Sequence, residues 1–415
     1  MTIDLNQQGM ETLRLTWNTF WDKHCHGFRN KNKSDGSYTD DGKYTVWPLS
    51  VLAQAVVDAM RIYPQDAHQF VEPVFRVFDR YYSPKYHAYC ASENFDGNND
   101  VYFDDNAQVA SAFLTAFEVT GNRHYLDKGA EVVRFLLTGW YTSEPYGVRW
   151  HVEKDGSNTC TTAECGIAAL RLERHMDPND SYARTLVSFA SDCARWVFDR
   201  MQDQDDKLIR DGYVPDKEHN ECGNGYRIDG MKWTYNQGTP LTLTSMLYCK
   251  TGQDWFKEKA EQLALAVTDT NTTIFDRDTP NHDARFYRDS LYFYQLLAEG
   301  FADLHLFIGQ RASQEVLDRT RREAIRVVKY MNRYMRNNET GLYFQTFEIF
   351  RISEQGQREY HQLTGTDKKY EPSEGERCHD NHVPVCDRKL THSLISCASA
   401  ARIYFQTARL SPSVD

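Results

Sequence analysis

Long apolar runs are absent: nothing in the chain approaches the ~20 consecutive apolar residues of a membrane span. The first residues, MTIDLNQQGMETLRLTW, lack the basic start and apolar stretch of an export signal. The chain as written is therefore expected to be soluble and cytoplasmic, or secreted if a leader has been trimmed from it. No Pro/Gly/Ser-rich linker, charge run or low-complexity block interrupts the 415 residues, so one continuous domain, 1–415, is expected despite a length that ordinarily means two or three. Basic residues are in deficit, 48 against 59 acidic ones, and they are scattered instead of gathered into a stripe. This argues against nucleic acid or anionic membrane as a partner.

Paired cysteines are missing too. Ten cysteines show no CxxC spacing, and an intracellular chain would keep most of them reduced. The sequons at Asn32, Asn179, Asn271 and Asn338 carry meaning only in a secreted protein. Cys378, His379, His382 and Cys386 in CHDNHVPVC are zinc-type donors at a spacing that fits no zinc template, and DQDDKLIRDG lacks the ligand order of an EF-hand. No metal is expected, and DQDDKLIRDGYVPD reads as a solvated β-hairpin. No GxSxG, HExxH, Walker or dinucleotide fingerprint is present, so no cofactor is expected.

Aromatic residues, by contrast, are plentiful at 13%, enough both for a large core and for apolar platforms that suit sugar rings. Helical periodicity dominates. In Val101–Gly139 the residues Val109, Ala112, Phe113, Ala116 and Phe117 recur at three- and four-residue spacing, Thr120-Gly121-Asn122 stops that helix, and a second begins near His124 and ends at Gly139 as its C-terminal glycine. Asp104 and Asp105 just precede the first helix. They suit either an N-cap or paired acid and base chemistry, in which one carboxyl stays protonated beside an ionised one. Like charges that close raise one of the two pKa values.

Further helices are expected at Met10–His24, from Pro48, at Ala67–Tyr82, from about Thr161, at Ser181–Arg200, Ser290–Phe307, Ser313–Arg336 and His392–Leu410. The segment KWTYNQGTPLTLTSMLYCKTGQDWF repeats the organisation of the Asp-Asp hairpin, down to a Thr-Gly turn: TGNRHY in one, TGQDWF in the other. About twelve helices in six hairpins close naturally into an all-α (α/α)6 barrel, a toroid with long loops on one face. Trp233, Tyr235, Asn236 and Gln237 offer flat faces and amides just before a helix, which is sugar-binding chemistry or a helix-entry turn.

YFDDNAQVASAFLTAFEVTGNRHYLDKG, GVRWHVEKDGSNTCTTAECGIAALRL and KWTYNQGTPLTLTSMLYCKTG together resemble glycoside hydrolase family 76, the endo-α-1,6-mannanases, in the family's order. The resemblance implies an (α/α)6 barrel and retaining hydrolysis of α-1,6-mannosidic linkages, with Asp104 as nucleophile and Asp105 as general acid/base. It implies an oligo- or polysaccharide partner, α-mannan; a monomer is expected. Asn106, Trp150, Asn158, Trp233, Tyr235, Asn236 and Gln237 fall in segments that resemble the substrate groove. The chain departs from the family pattern at Gln108, where an aromatic is usual, and at YTVWPLS, where a Trp-Trp-Gln-like segment is usual. The alternatives are a mannan transglycosylase on the same fold and a carbohydrate-binding protein without turnover; a sugar epimerase is disfavoured because no histidine accompanies the aspartate pair.

Overall fold

A computed structural model describes residues 2–33, 38–39, 46–216, 218, 225–378, 380 and 382–414. Its α-helices are α1 (Leu5–Phe20), α2 (Val46–Ile62), α3 (Pro64–Val77), α4 (Phe103–Thr120), α5 (Arg123–Leu137), α6 (Thr159–Glu173), α7 (Ser181–Trp196), α8 (Tyr235–Thr251), α9 (Asp254–Val267), α10 (Leu291–Phe307), α11 (Gln314–Tyr330), α12 (Glu354–Thr364) and α13 (Leu394–Ala408). Helices α2, α4, α6, α8, α10 and α13 each pack on the next, and α13 returns to α2, closing an inner ring. Around it α1 lies on α13, α3 on α2, α5 on α4, α7 on α6, α9 on α8, and α11 against α10 and α13. This is the (α/α)6 barrel, with α12 added outside the twelve. Among the described residues no helix is long and apolar enough to cross a membrane.

Residue patterning decides which helix is inner. Every residue of α6 is buried, as is α8 from Asn236 to Tyr248; small and apolar residues surround these helices, so they present no solvated face. The outer α11 instead buries Val316, Leu317, Thr320, Ala324, Val327 and Val328 on one stripe, with Glu323 the one charge drawn in, and leaves its other charges partly or fully exposed. Where α8 meets α10 the backbones touch: a Cβ on Gly238 would lie 2.3 Å from the Leu296 carbonyl oxygen.

Local signals behave alike in both repeated hairpins. Gly121 and Gly252 take left-handed conformations at the ends of α4 and α8, with φ of 70° and 67°, the role glycine fills most cheaply. In each turn the preceding threonine (Thr120, Thr251) donates its hydroxyl back to the helix and accepts the N–H of the residue two further on. Gly139 differs from expectation. It is no left-handed cap, since Thr138 ends α5; it is small because a Cβ there would fall 2.6 Å from the Phe103 ring. The first helix begins at Leu5, five residues earlier than its apolar pattern suggests, because Asp4 accepts the Gln7 N–H as its N-cap.

The few strands are short. Gly212–Pro215 pairs with Tyr226–Asp229 on one side and with Ser157–Asn158 on the other. The hairpin expected within DQDDKLIRDGYVPD differs: a turn there is closed by an isolated Gln202–Ile209 bridge, and the strand Gly212–Pro215 finds its partners outside that segment. Ile3–Asp4 pairs with Ser413–Val414, so the first and last described segments meet beside α1 and α13.

Candidate active site

The first turns of all six inner helices surround one cavity of about 620 Å³, to which α2 gives Trp47, α4 gives Asp104 and Asp105, α6 gives Cys160, α8 gives Tyr235, α10 gives Tyr292 and Phe293, and α13 gives Ile395. Because these helices run the same way, their N-terminal N–H groups and dipoles all favour negative charge there. The aspartates do not precede α4 as expected: Tyr102 is the N-cap, without a side-chain capping bond, and Asp104 and Asp105 are the second and third residues of the helix. Successive helical residues point about 100° apart, so the two carboxyls meet different surroundings.

Asp104 is the better solvated by protein. Its Oδ2 accepts from Trp150 Nε1 at 2.8 Å and its Oδ1 from the Asp105 N–H at 2.8 Å. Burial pushes its pKa up to about 6, while those two hydrogen bonds pull it down. Asp105 receives no hydrogen bond among the described residues, and burial, then Asp104, then Asp100 push its carboxyl well above the ordinary range. The pair therefore divides into one carboxyl that ionises readily and one that keeps its proton. Among the described residues no cation pairs with either.

A third carboxylate, Asp211, enters from the loop before strand Gly212–Pro215. Its Oδ1 accepts from Tyr235 OH at 3.0 Å and from Asn236 Nδ2 at 2.7 Å. Burial raises its pKa and those two donors oppose the rise. Burial also raises Tyr235 and Cys160, so both stay neutral.

Trp150 stands 40% exposed at the rim, and Tyr235 and Asn158 line the wall. Asn158 is also the N-cap of α6, its Oδ1 accepting from Thr161 N at 3.0 Å. Asn106, Asn236 and Gln237 are corrected: all three are fully buried and none reaches the cavity. Asn106 clamps both backbone groups of Tyr89 and the carbonyl of Tyr102. Gln237 clamps Ile209 and Trp233, and Asn236 aims Asp211. The amides of Asn106 and Gln237 serve the walls because a buried amide must satisfy itself on protein, while Asn236 spends its Nδ2 on Asp211. Trp233 lines a neighbouring cavity of about 720 Å³ that shares Tyr292 and Phe293 with the first.

Sequence reasoning missed Asp211, Tyr102, Trp47, Tyr213, Tyr292 and Phe293, all in the cavity lining. In DQDDKLIRDG the acids diverge: Asp203 and Asp206 each hold Lys232 at 2.8 Å, which accounts for the polar turn, whereas Asp211 turns inward. Its only sequence signal is the Asp-Gly at the start of a strand. Among the described residues no group of three or more His, Cys, Asp and Glu is placed to hold a metal; His379 of the CHDNHVPVC segment lies outside them.

The family model for glycosyl hydrolase family 76 matches residues 7–361. The chain belongs to glycosyl hydrolase family 76. Its relatives include the meiotically up-regulated gene 191 protein of Schizosaccharomyces pombe, 29% identical over 97% of this chain and 92% of that one. The GH76A α-1,6-mannanase of Salegentibacter sp. HEL1_6 shares the fold at a TM-score of 0.71 and 16% identity, covering 98% of this chain and all of that one. An inactive variant of that mannanase, with two consecutive aspartates changed to asparagine and α-1,6-mannotriose bound, aligns at a TM-score of 0.68 and 15% identity, covering 98% and 100% of the two chains. The family 76 barrel, its cavity and its adjacent aspartates thus occur together in one molecule.

Proposed function

We propose that this family 76 protein hydrolyses α-1,6-mannosidic linkages with retention, using Asp104 as nucleophile and Asp105 as general acid/base. The observation that carries the reading is the unequal treatment of two adjacent carboxylates on the cavity floor: two hydrogen bonds and a pKa of about 6 for Asp104, none and a higher pKa for Asp105. Asp104 attacks the anomeric carbon while Asp105 gives its proton to the departing glycosidic oxygen, leaving a mannosyl ester on Asp104. Asp105, now ionised, takes a proton from water, which opens the ester and restores both groups. Trp150 fixes Asp104 Oδ2, and the aromatic walls at Tyr102, Tyr292 and Phe293 offer faces to sugar rings. That two consecutive aspartates were replaced to inactivate the mannanase bound to mannotriose supports the same role for this pair.

The second cavity, joined through Tyr292 and Phe293 and bearing Trp233, extends the site to several sugar units and favours cleavage within a chain. The test is product analysis with linear α-1,6-mannan and α-1,6-mannooligosaccharides, with the anomeric configuration of the first product read by NMR, beside Asp104→Asn and Asp105→Asn. Short α-configured products lost in both variants are expected. Products longer than the substrate would reassign the protein as a transglycosylase, and binding without turnover would leave a lectin-like role.

A further inference from the structure

Backbone hydrogen bonds divide the barrel into three equivalent units. In the loops after α3, α7 and α11 the N–H groups of Cys90, Arg210 and Phe344 donate back to the carbonyls of Tyr81, Met201 and Met335, at 2.8, 3.0 and 2.9 Å. The next residue in each loop, Ala91, Asp211 or Gln345, accepts on its carbonyl the N–H that opens an inner helix: Val46 of α2, Thr159 of α6 and Leu291 of α10. Two residues earlier, the carbonyls of Tyr89, Ile209 and Tyr343 accept from Asn106 of α4, Gln237 of α8 and Cys397 of α13. Ala91, Asp211 and Gln345 are therefore counterparts. So are Asp104, Tyr235 and Ile395, each two residues before one of those donors, and all three line the first cavity. The units differ in how the first set is used. Ala91 has no polar side chain, and the Asp211 carboxylate is taken by Tyr235 and Asn236. In the third unit the matching residues are Ile395, which is apolar, and Ser396, whose hydroxyl accepts from Ser393 at 2.7 Å. The Gln345 amide makes no hydrogen bond among the described residues. Its backbone is fixed all the same, because the buried Glu376 accepts the N–H of Gln345 at 3.1 Å and of Thr346 at 2.9 Å. Gly375 leaves the space that the amide occupies.

Gln345 lines the second cavity together with Trp233, Tyr292 and Phe293. We propose that Gln345 is a specificity-determining residue whose amide donates to and accepts from hydroxyls of a mannose unit bound in that cavity, away from the bond that is cleaved. This rests on the reading of α-1,6-mannan as the substrate. The charges around Gln345 favour a neutral ligand, because each already has a partner. Lys232 holds Asp203 and Asp206, Arg288 and Arg351 share Glu348, and Asp289 accepts from Thr234 and Ser290. An amide and aromatic faces are what remain, and these match the hydroxyls and the apolar face of a sugar ring. A mannan chain long enough to run from Asp104 into the second cavity gains the contact; a disaccharide at the aspartates does not reach it. The contact is made in the ground state and the transition state alike, so it acts through KM.

The experiment compares α-1,6-mannobiose with α-1,6-mannotetraose. Affinities are measured by calorimetry in the Asp104→Asn background, and KM is measured with Asp104 intact. Gln345→Leu keeps the bulk beside Gly375 and removes both hydrogen-bonding atoms; Gln345→Ala is the second variant, and circular dichroism checks the fold of each. The preference for the tetraose over the biose, as a ratio of affinities, should fall roughly tenfold in either variant, with a matching rise in KM for the tetraose. A ratio equal to that of the parent would overturn the proposal. Equal losses on both sugars would overturn it too, since they would mark Gln345 as a structural residue only. A ratio that falls in a protein without turnover would sink the hydrolase reading and leave the subsite standing. Binding of neither sugar by the parent would take the mannan reading and the subsite down together.

Discussion

At the N-terminal ends of the inner helices, Asp104 and Asp211 accept hydrogen bonds, Asp105 accepts none, and among the described residues no cation pairs with any of the three; further along the same helices, Asp58, Glu299 and Asp303 face arginines. Arg402, 2% exposed, donates to Asp58 at 3.2 Å and Glu299 at 3.0 Å and also bonds Gln295. Arg171 reaches Glu299 at 2.7 Å and Arg409 reaches Asp303 at 2.7 Å. Burial raises every one of these carboxyls for which a shift is seen, yet at Glu299 Arg402 and Arg171 outweigh it and bring the pKa down to about 2, whereas at Asp104 nothing does. Between the two ends Glu164, fully buried with one carboxyl oxygen lacking a partner among the described residues, is pushed up to about 8 by burial and by Glu299. One ring of helices therefore stabilises charge at one end and leaves it destabilised at the other, where it can react.

That contrast can be broken from either side. The largest effect is expected on turnover: Asp104→Asn should reduce kcat/KM on α-1,6-mannan by roughly 10⁴-fold or more, with a melting temperature at pH 7 equal to or above wild type, because a poorly solvated negative charge has been removed. At the paired end, Arg402→Met should lower stability by about 3 kcal/mol in chemical denaturation, since it removes the buried arginine that Asp58 and Glu299 share and leaves Asp58 to Arg61 and Glu299 to Arg171.

The pH dependence separates the two ends by sign. Asp104 has a native pKa raised above its unfolded value, so its cost to stability is present above about pH 6 and is relieved as pH falls. Glu299 has a depressed native pKa, so its contribution is present above its unfolded value and is lost as pH falls toward about 2. Melting temperature should thus rise from pH 7 to pH 5 in wild type, by less in Asp104→Asn, and fall steeply in more acid solution in both. The smallest effect is Trp150→Phe. Losing its bond to Asp104 should cost about 1–2 kcal/mol of transition-state stabilisation, roughly tenfold in kcat/KM, and move the acid limb upward.

The aspartate pair and the barrel were legible because consecutive charges and a 3.6-residue period are local properties. The repeated Thr-Gly turns made the hairpins visible as well. Amides were misread for a physical reason: Asn106 and Gln237 have the chemistry that binds a sugar hydroxyl, and the same chemistry satisfies a buried backbone, so only burial distinguishes the two uses. Asp211 was hidden among acids that pair with Lys232, since the side of a short strand on which a residue emerges depends on its partners. Helix α12 escaped because EQGQREYHQLT is mostly polar; it buries Tyr360, whose hydroxyl bonds Asp276 from a distant loop.

The contact between Asp58 and Arg402 spans 344 residues of sequence. At a synthesis rate of 5–20 residues per second, an α2 helix already made waits roughly 20–70 s for the second arginine on its buried aspartate, the first being Arg61 of the same helix. Until then the ring is open, with α2 exposing the face that α13 will cover. Release of α13 is the step that lets the ring close on α2, and the interval before it is when a chaperone would find the most surface to hold.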